Sequence, residues 1–415
     1  MRLAVDPGHV MHGPKDDVAE DDVTEADRLR AAVTALVDQH DPQTTPRLEF
    51  LRARFAAGLA WVHYPVGLGG LGAPRWLQPM VEVMLAEAGA PDNDPARNGI
   101  GLGMAAPTIL AHGTPEQQSR FLGPLWTGEE VWCQLFSEPG AGSDLAALAT
   151  RAVRDGDAWV VNGQKVWTSN AHSARWAILV ARTDPDVPKH EGITYFVCDM
   201  TALGVEVRPL RQLTGEAEFN EVFLTDVRLP DHDRLGPVGH GWAVAQTTLN
   251  NERVAIGGGA PGREAGYVGV VARRWRNDPT VRAPHLHDRL LRLWVDAEVF
   301  RLTGARLRQQ LATGHPGPEG AGMKVLYARL NQQLSAFEVE MLGEEGARYD
   351  QWTMRRPEGV EFLERKPGFR YLRAKGNSIE GGTSEILRNI VAERVLALPR
   401  EPNTTKGLPW KDLPK

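Results

Sequence analysis

Two short segments carry the residue types best suited to hold a flat ring with a polar edge. Phe136-Ser137-Glu138-Pro139-Gly140-Ala141-Gly142-Ser143-Asp144 is a Gly/Pro turn that exposes backbone N–H groups and the hydroxyls of Ser137 and Ser143. Lys165-Val166-Trp167-Thr168-Ser169-Asn170 follows and sets a large indole beside two more hydroxyls. Donors suit the edge of such a ring, an indole suits its face, and a glycine-rich turn suits a diphosphate tail. Either segment alone reads equally well as a plain turn or a core tryptophan.

The elements that must position these segments differ along the chain. Residues 1–25 are polar and punctuated by Pro and Gly, and read as a loose arm. Residues 26–128 read as a helical domain, with a buried helix over Trp76–Leu85 and a helix start at Thr114-Pro115-Glu116-Gln117. Residues 129–240 read as a small β-domain. Trp159-Val160-Val161 and Lys165-Val166-Trp167 form a hairpin about Asn162-Gly163, a pair that tolerates the positive φ of a type I′ turn. Further strands are expected over Trp176–Val180, Ile193–Val197, Val205–Val207 and Glu221–Leu224. From 241 to 400 the apolar period becomes helical: Leu286, Leu290, Leu293, Ala297, Phe300, Leu307 and Leu311 in one run, Met323, Leu326, Leu330, Leu334, Phe337 and Met341 in another. Two such helices pack as a bundle. Residues 401–415, with Lys406-Gly407-Leu408-Pro409-Trp410, read as an extended tail. The fold class is α+β: helices, strands, helices.

The two opening segments resemble the flavin-binding centre of the acyl-CoA dehydrogenase family. The resemblance continues through Phe219-Asn220-Glu221-Val222-Phe223, Asn251-Glu252-Arg253 and Gly381-Gly382-Thr383-Ser384-Glu385-Ile386, and covers about Leu59 to Glu401. It implies that FAD is the cofactor and that the fold is that family's helical, β and helical domains. By resemblance, Ser137 lies at the pyrimidine edge, Trp167 covers the ring, and Ser169 bonds near N5, with Thr168 beside it. Ser169 stands where the family often has Thr, which preserves the hydroxyl. Gln134, Leu135 and Phe136 flank the ring, and Ser143 reaches the diphosphate or the substrate's nucleotide. Thr383 and Glu385 are further flavin contacts. Gly343 and Gly346 resemble the place where a neighbouring subunit approaches the adenosine end, which implies a homotetramer or heterotetramer. Arg282 occupies the region where the family has an Arg-x-x-Phe-Gly contact to the diphosphate, but here Phe-Gly is missing.

The same resemblance raises two positions for a catalytic base. Many members place Glu directly before the Gly-Thr of the last motif; here that residue is Gly381, and Glu380 sits one position early. Long-chain and isovaleryl-type members carry the base on a helix directly before an Arg, the pattern of Asn250-Asn251-Glu252-Arg253. Glu252 is therefore the expected base. Arg253 serves substrate binding or helix support, and the Gly381 N–H holds the thioester carbonyl. The implied reaction removes an α-proton from an acyl-CoA as a hydride passes to flavin N5, giving a trans-2-enoyl-CoA, with an electron-transfer flavoprotein as acceptor. Rival readings are a flavin oxidase or oxygenase on the same scaffold, and a non-catalytic subunit of a hetero-oligomeric dehydrogenase. Retention of Glu252 and the flavin turn weighs against both.

Composition narrows the rest. The 415 residues carry a net charge of -6, which argues against a nucleic-acid partner. Arg273-Arg274-Trp275-Arg276 is the local exception, a solvated helix end or a contact to a nucleotide phosphate. Cys133 and Cys198 do not make a disulfide framework. The acidic start lacks a signal segment, and no apolar run is long enough to cross a bilayer, so a cytoplasmic location is expected. His285-x-His287 has no carboxylate cluster beside it, and no metal is expected. Gly67-Leu68-Gly69-Gly70-Leu71-Gly72 matches G-x-G-x-x-G with Glu87 about twenty residues on, but no β-rich run completes the unit, and it reads as a glycine turn. Gly99-Ile100-Gly101-Leu102-Gly103 reads as close backbone packing.

Overall fold

The computed structural model describes residues 20–256, 262–312, 317–349, 351–357, 362–402 and 404–414. The chain divides into two compact units, with the boundary in the sequence between Pro91 and Asp92. The first holds helices α1 (Glu20–Gln39), α2 (Arg47–Ala56) and α3 (Gln78–Glu87). α1 begins within the segment expected as an arm. Leu29, Val33, Leu36, Phe50, Leu59, Val62, Leu77, Val81 and Leu85 form its core. The Gly67–Gly72 segment is a turn with no flanking strand; a Cβ at Gly70 would lie 2.1 Å from the Tyr64 carbonyl oxygen, so close backbone approach accounts for that glycine.

The second unit opens with α4 (Ala106–His112) and α5 (Pro115–Thr127). Thr114 and Gln117 form the capping box that their spacing predicts. At Gly101–Ala105 the chain makes a π-helical turn, where a Cβ on Gly101 would meet Asn98 Oδ1 at 2.3 Å.

An eight-stranded mixed sheet follows: β1 (Trp132–Leu135), β2 (Arg151–Asp155), β3 (Ala158–Ser169), β4 (Trp176–Arg182), β5 (Ile193–Asp199), β6 (Val205–Pro209), β7 (Phe219–Pro230) and β8 (Arg234–Leu235). Strand order is β6-β7-β3-β2-β4-β5-β8, with β1 parallel on β4. Alternate residues such as Ala152, Val161, Ala177, Leu179, Phe196, Cys198, Val222 and Leu224 make its core. Cys133 and Cys198 both pair with Ala177, from opposite sides. That places them two strand spacings apart, about 9.5 Å, beyond the ~7 Å reach of a disulfide; both are buried free thiols.

The expected hairpin at Asn162-Gly163 is corrected. β3 runs straight through both residues, and the β2–β3 hairpin turns instead at Gly156, whose φ is 65°. Asn162-Gly163 is a bulge, where the register with β7 shifts after Val161. Asn162 trades hydrogen bonds with Asp226 across the strands, and a Cβ on Gly163 would strike Thr150 Oγ1 at 2.4 Å. The glycine answers a neighbouring strand rather than a chain reversal.

Helices complete the unit: α6 (Gly241–Ile256), α7 (Tyr267–Asn277), α8 (Pro284–Ala312), α9 (Gly320–Leu342), α10 (Glu344–Ala347), α11 (Pro367–Ala374) and α12 (Ser384–Ile390). Leu286, Leu290 and Leu293 of α8 pack with Leu334, Phe337 and Met341 of α9, as their shared period predicts. The expected tail is not free. Residues 404–414 return to the β4–β5 loop and bridge to it at Pro188 and Pro409.

Candidate functional site

Trp167 is the residue the sheet sets apart. The β3–β7 register shifts again between Lys165 and Thr168, and Trp167 takes a φ of 61°. A bulge re-aims a side chain, and a non-glycine residue in the left-handed region carries about 1–3 kcal/mol of strain. The indole is 56 % exposed and meets the Phe219 ring edge-on at 5.9 Å. Thr168 turns the other way: it is buried, and its Oγ1 has no hydrogen-bond partner among the described residues. Ser137 and Ser169 are half-buried. A strained, exposed indole next to an orphaned buried hydroxyl fits a flat ligand with a polar edge, and FAD is such a group.

Glu138 builds the turn that precedes it. Its carboxylate accepts from the N–H groups of Ala149 at 2.6 Å and Thr150 at 3.0 Å, and from Lys165 Nζ at 2.8 Å. Lys165 is fully buried and also donates to the carbonyls of Phe136 at 3.0 Å and Val180 at 2.9 Å, so all three ammonium donors are used. Burial works against the Glu138 carboxylate. The Lys165 charge and the bonds from Lys165, Thr150 and Ala149 outweigh it and hold the carboxyl below its ordinary range. Burial lowers the Lys165 ammonium, with Glu138 opposing. Val166 N–H donates to the Ser137 carbonyl at 2.9 Å, which ties the two opening segments together. Gln134 and Leu135 end β1, Phe136 is buried edge-on to Tyr195, and Ser143 is exposed on the turn.

The third and last motifs join the same cluster. Asn220 Nδ2 donates to the Thr168 carbonyl at 3.0 Å, and Asn170 N–H to the Glu218 carbonyl at 2.9 Å. Arg373 on α11 then bridges outward. It bonds Glu218 at 3.2 Å, pairs with Glu380 at 2.9 Å, and sets its guanidinium 5.6 Å from the Phe219 ring. Asn377 Nδ2 adds a 2.6 Å bond to Glu380. Burial pushes the Glu218 carboxyl up, Arg373 opposing and Glu380 and Glu216 adding to the rise. Arg373, Glu218 and Asn377 escape sequence reasoning because their partners lie on separate elements; the one local signal is Lys165, a charge at a core-facing position of β3.

The other expected residues are placed as follows. Gly381 and Gly382 have φ of 61° and 93°, and Lys324 Nζ donates to the Gly382 carbonyl at 2.7 Å. Thr383 Oγ1 caps α12 by accepting from Ile386 N–H at 3.2 Å. Glu385 is exposed beside Arg388. Gly343, at φ 57°, separates α9 from α10, and Gly346 is buried. Arg282 is exposed and donates to the carbonyls of Trp275 and Arg276 at the end of α7. Glu252 and Arg253 lie on α6, but their side chains fall outside the described residues. Among the described residues no group of His, Cys, Asp and Glu could hold a metal ion, and no helix is long and apolar enough to cross a membrane.

Comparisons with known proteins agree with this arrangement. Residues 24–129, 133–227 and 239–396 match the families described as the N-terminal, middle and C-terminal domains of acyl-CoA dehydrogenase. The chain is 40% identical over 351 residues to acyl-CoA dehydrogenase IpdE1 of Mycobacterium tuberculosis, covering 83% of this chain and 86% of that one. It is 44% identical over 297 residues to acyl-CoA dehydrogenase FadE34 of the same organism, a match that covers 71% of this chain but spans only 39% of that relative's length. A solved structure of a variant of the Tcur3481-Tcur3483 steroid ACAD superposes with a TM-score of 0.69 at 26% identity, covering 92% of this chain and 99% of that one. Strained indole, clamped turn and three consecutive domain matches lead to one assignment: the chain belongs to the acyl-CoA dehydrogenase family of FAD-dependent enzymes.

Proposed function

We propose that the chain catalyses α,β-dehydrogenation of an acyl-CoA thioester. The observation that carries the reading is the convergence of three separate motifs on Trp167, through Val166 to Ser137, Asn220 to Thr168, and Arg373 to Phe219. When bound, the flavin supplies the acceptor for the hydride that leaves the β-carbon. Trp167 would lie against the ring, and Ser137, Thr168 and Ser169 would supply hydroxyls for its edge. Glu252 takes the α-proton, and the Gly381 N–H holds the thioester carbonyl as charge develops on it. Arg253 supports the substrate or the helix.

The acyl group is read as bulky and ring-bearing, because the similar solved structure is a steroid ACAD. An electron-transfer flavoprotein is the proposed acceptor and the cytoplasm the proposed compartment. The purified protein is expected to be yellow, and its visible flavin band to bleach on anaerobic addition of a steroid-type acyl-CoA. Trp167→Ala should hold FAD roughly tenfold or more weaker, the size of one lost ring–aromatic stack. A colourless protein that does not take up FAD, or fast peroxide formation from acyl-CoA in air, would count against this reading, the latter favouring an oxidase.

Assembly into a homotetramer or heterotetramer is also proposed. Leu291, Val295, Val299 and Leu302 make an exposed apolar stripe along α8, each more than half exposed, and a second subunit's helix would cover it. Light scattering should show an oligomer; an active, FAD-loaded monomer would exclude it.

A further inference from the structure

Residues 404–414 lie beyond the last family match, which ends at residue 396, yet they are bound tightly to the second unit. Trp410 N–H donates to the Val187 carbonyl at 2.9 Å and Lys411 N–H to the Pro185 carbonyl at 3.1 Å. Lys411 Nζ pairs with Asp186 at 2.6 Å. The indole of Trp410 is half-buried and lies over the Arg182 guanidinium, 4.8 Å from its carbon.

The contacts of Arg182 show what this strap holds. Arg182 is 2 % exposed and donates to the carbonyls of Ala146 at 2.6 Å, Leu148 at 3.3 Å and Lys189 at 2.9 Å. Trp410 Nε1 donates to the carbonyl between the first two, Ala147, at 3.1 Å. Three successive carbonyls just after the Ser143 turn are thus held by one arginine and one tryptophan. Lys189, on the loop beneath the strap, reaches back to Asp144 at 2.6 Å. Trp410 also forms one wall of a cavity of about 1260 Å³, with Arg151 and Arg154 among its other lining residues.

We infer that Trp410 is a positioning residue for the substrate's CoA end, acting through Arg182 and the Ala147 carbonyl to fix the 183–191 loop against the Ser143 turn. The inference rests on the acyl-CoA reading. A strap attached by polar backbone contacts and one cation–π pair makes little core, so its removal should loosen the loop without emptying the flavin site.

The test is calorimetric titration of the FAD-loaded protein with CoA and, separately, with pantetheine, which lacks the nucleotide. Trp410→Ala should bind CoA about five- to tenfold weaker, as expected for losing a part-buried cation–π pair and a hydrogen bond. Pantetheine affinity should stay unchanged, and Trp410→Phe, which keeps a ring over Arg182, should restore most of the CoA affinity. Unchanged CoA affinity, an equal loss for pantetheine, or loss of FAD would each overturn the inference. Turnover of acyl-CoA by the full chain is read separately. A chain that oxidises no acyl-CoA but loses CoA affinity with the strap keeps the strap's role and rejects the dehydrogenase reading. A chain that oxidises acyl-CoA with unaltered CoA binding in the variants does the reverse.

Discussion

Glu252→Gln is expected to lower acyl-CoA turnover by about 10²–10⁴-fold, the range lost with a general base, while the protein stays yellow. Glu380→Gln should do far less. The reason lies in what already occupies Glu380: Arg373 at 2.9 Å and Asn377 at 2.6 Å. A carboxylate committed to a guanidinium and an amide is aimed at those partners and not at the proton of a bound substrate, and a general base needs that proton within hydrogen-bond reach. Gly381 next to it offers no side chain, and on the proposed reading the carboxylate comes from α6, which carries Glu252 before Arg253. Stopped-flow bleaching of the flavin band in the two variants decides the matter; an inactive Glu380→Gln beside an active Glu252→Gln would reverse the assignment.

Lys165→Met is expected to destabilise the protein by about 3–5 kcal/mol, the cost of leaving one partner of a buried ion pair alone. Glu138 would then be 8 % exposed with only two backbone N–H groups to hold its charge. The turn it clamps carries Ser143, so FAD uptake should fall with stability. Glu138→Gln in the Lys165→Met background should recover part of the loss, and a double-mutant cycle in denaturant measures the coupling. The pH dependence has a definite sign. A carboxyl held below its ordinary value of 4.5 contributes stability above that value, and the contribution is lost as pH falls through the lowered folded value. Acid unfolding in that range should therefore flatten when Lys165 is replaced.

What the sequence made legible is the part governed by local patterns. The Thr114–Gln117 box, the period of α8 and α9, and strands over Trp176, Ile193 and Glu221 all follow from near neighbours. The opening segments were recognisable because hydroxyls, glycines and an indole were close together. Asn162-Gly163 misled because a bulge and a type I′ turn ask for the same residues, and only the Thr150 and Asp226 contacts from other strands tell them apart. The Glu218–Arg373–Glu380 array was invisible for a related reason: its members are 155 and 7 residues apart, joined by folding alone. The sequence of the strap implies an extended tail because nothing in Lys406–Trp410 announces a partner at Ala147.

The two cysteines have a consequence for how the molecule ages. Burial pushes the Cys198 thiol up to about 12 and the Cys133 thiol well above its ordinary value. The thiolate is the form that oxidants attack, so both sulfurs sit inside the sheet in their unreactive state and too far apart to join. Hydrogen peroxide, a common by-product wherever reduced flavin meets air, finds no reactive cysteine in this chain. It finds thioethers instead, with Met354 about half exposed. Oxidative wear therefore falls on methionine, a lesion that reductases can undo, and spares the sheet that carries the strained indole.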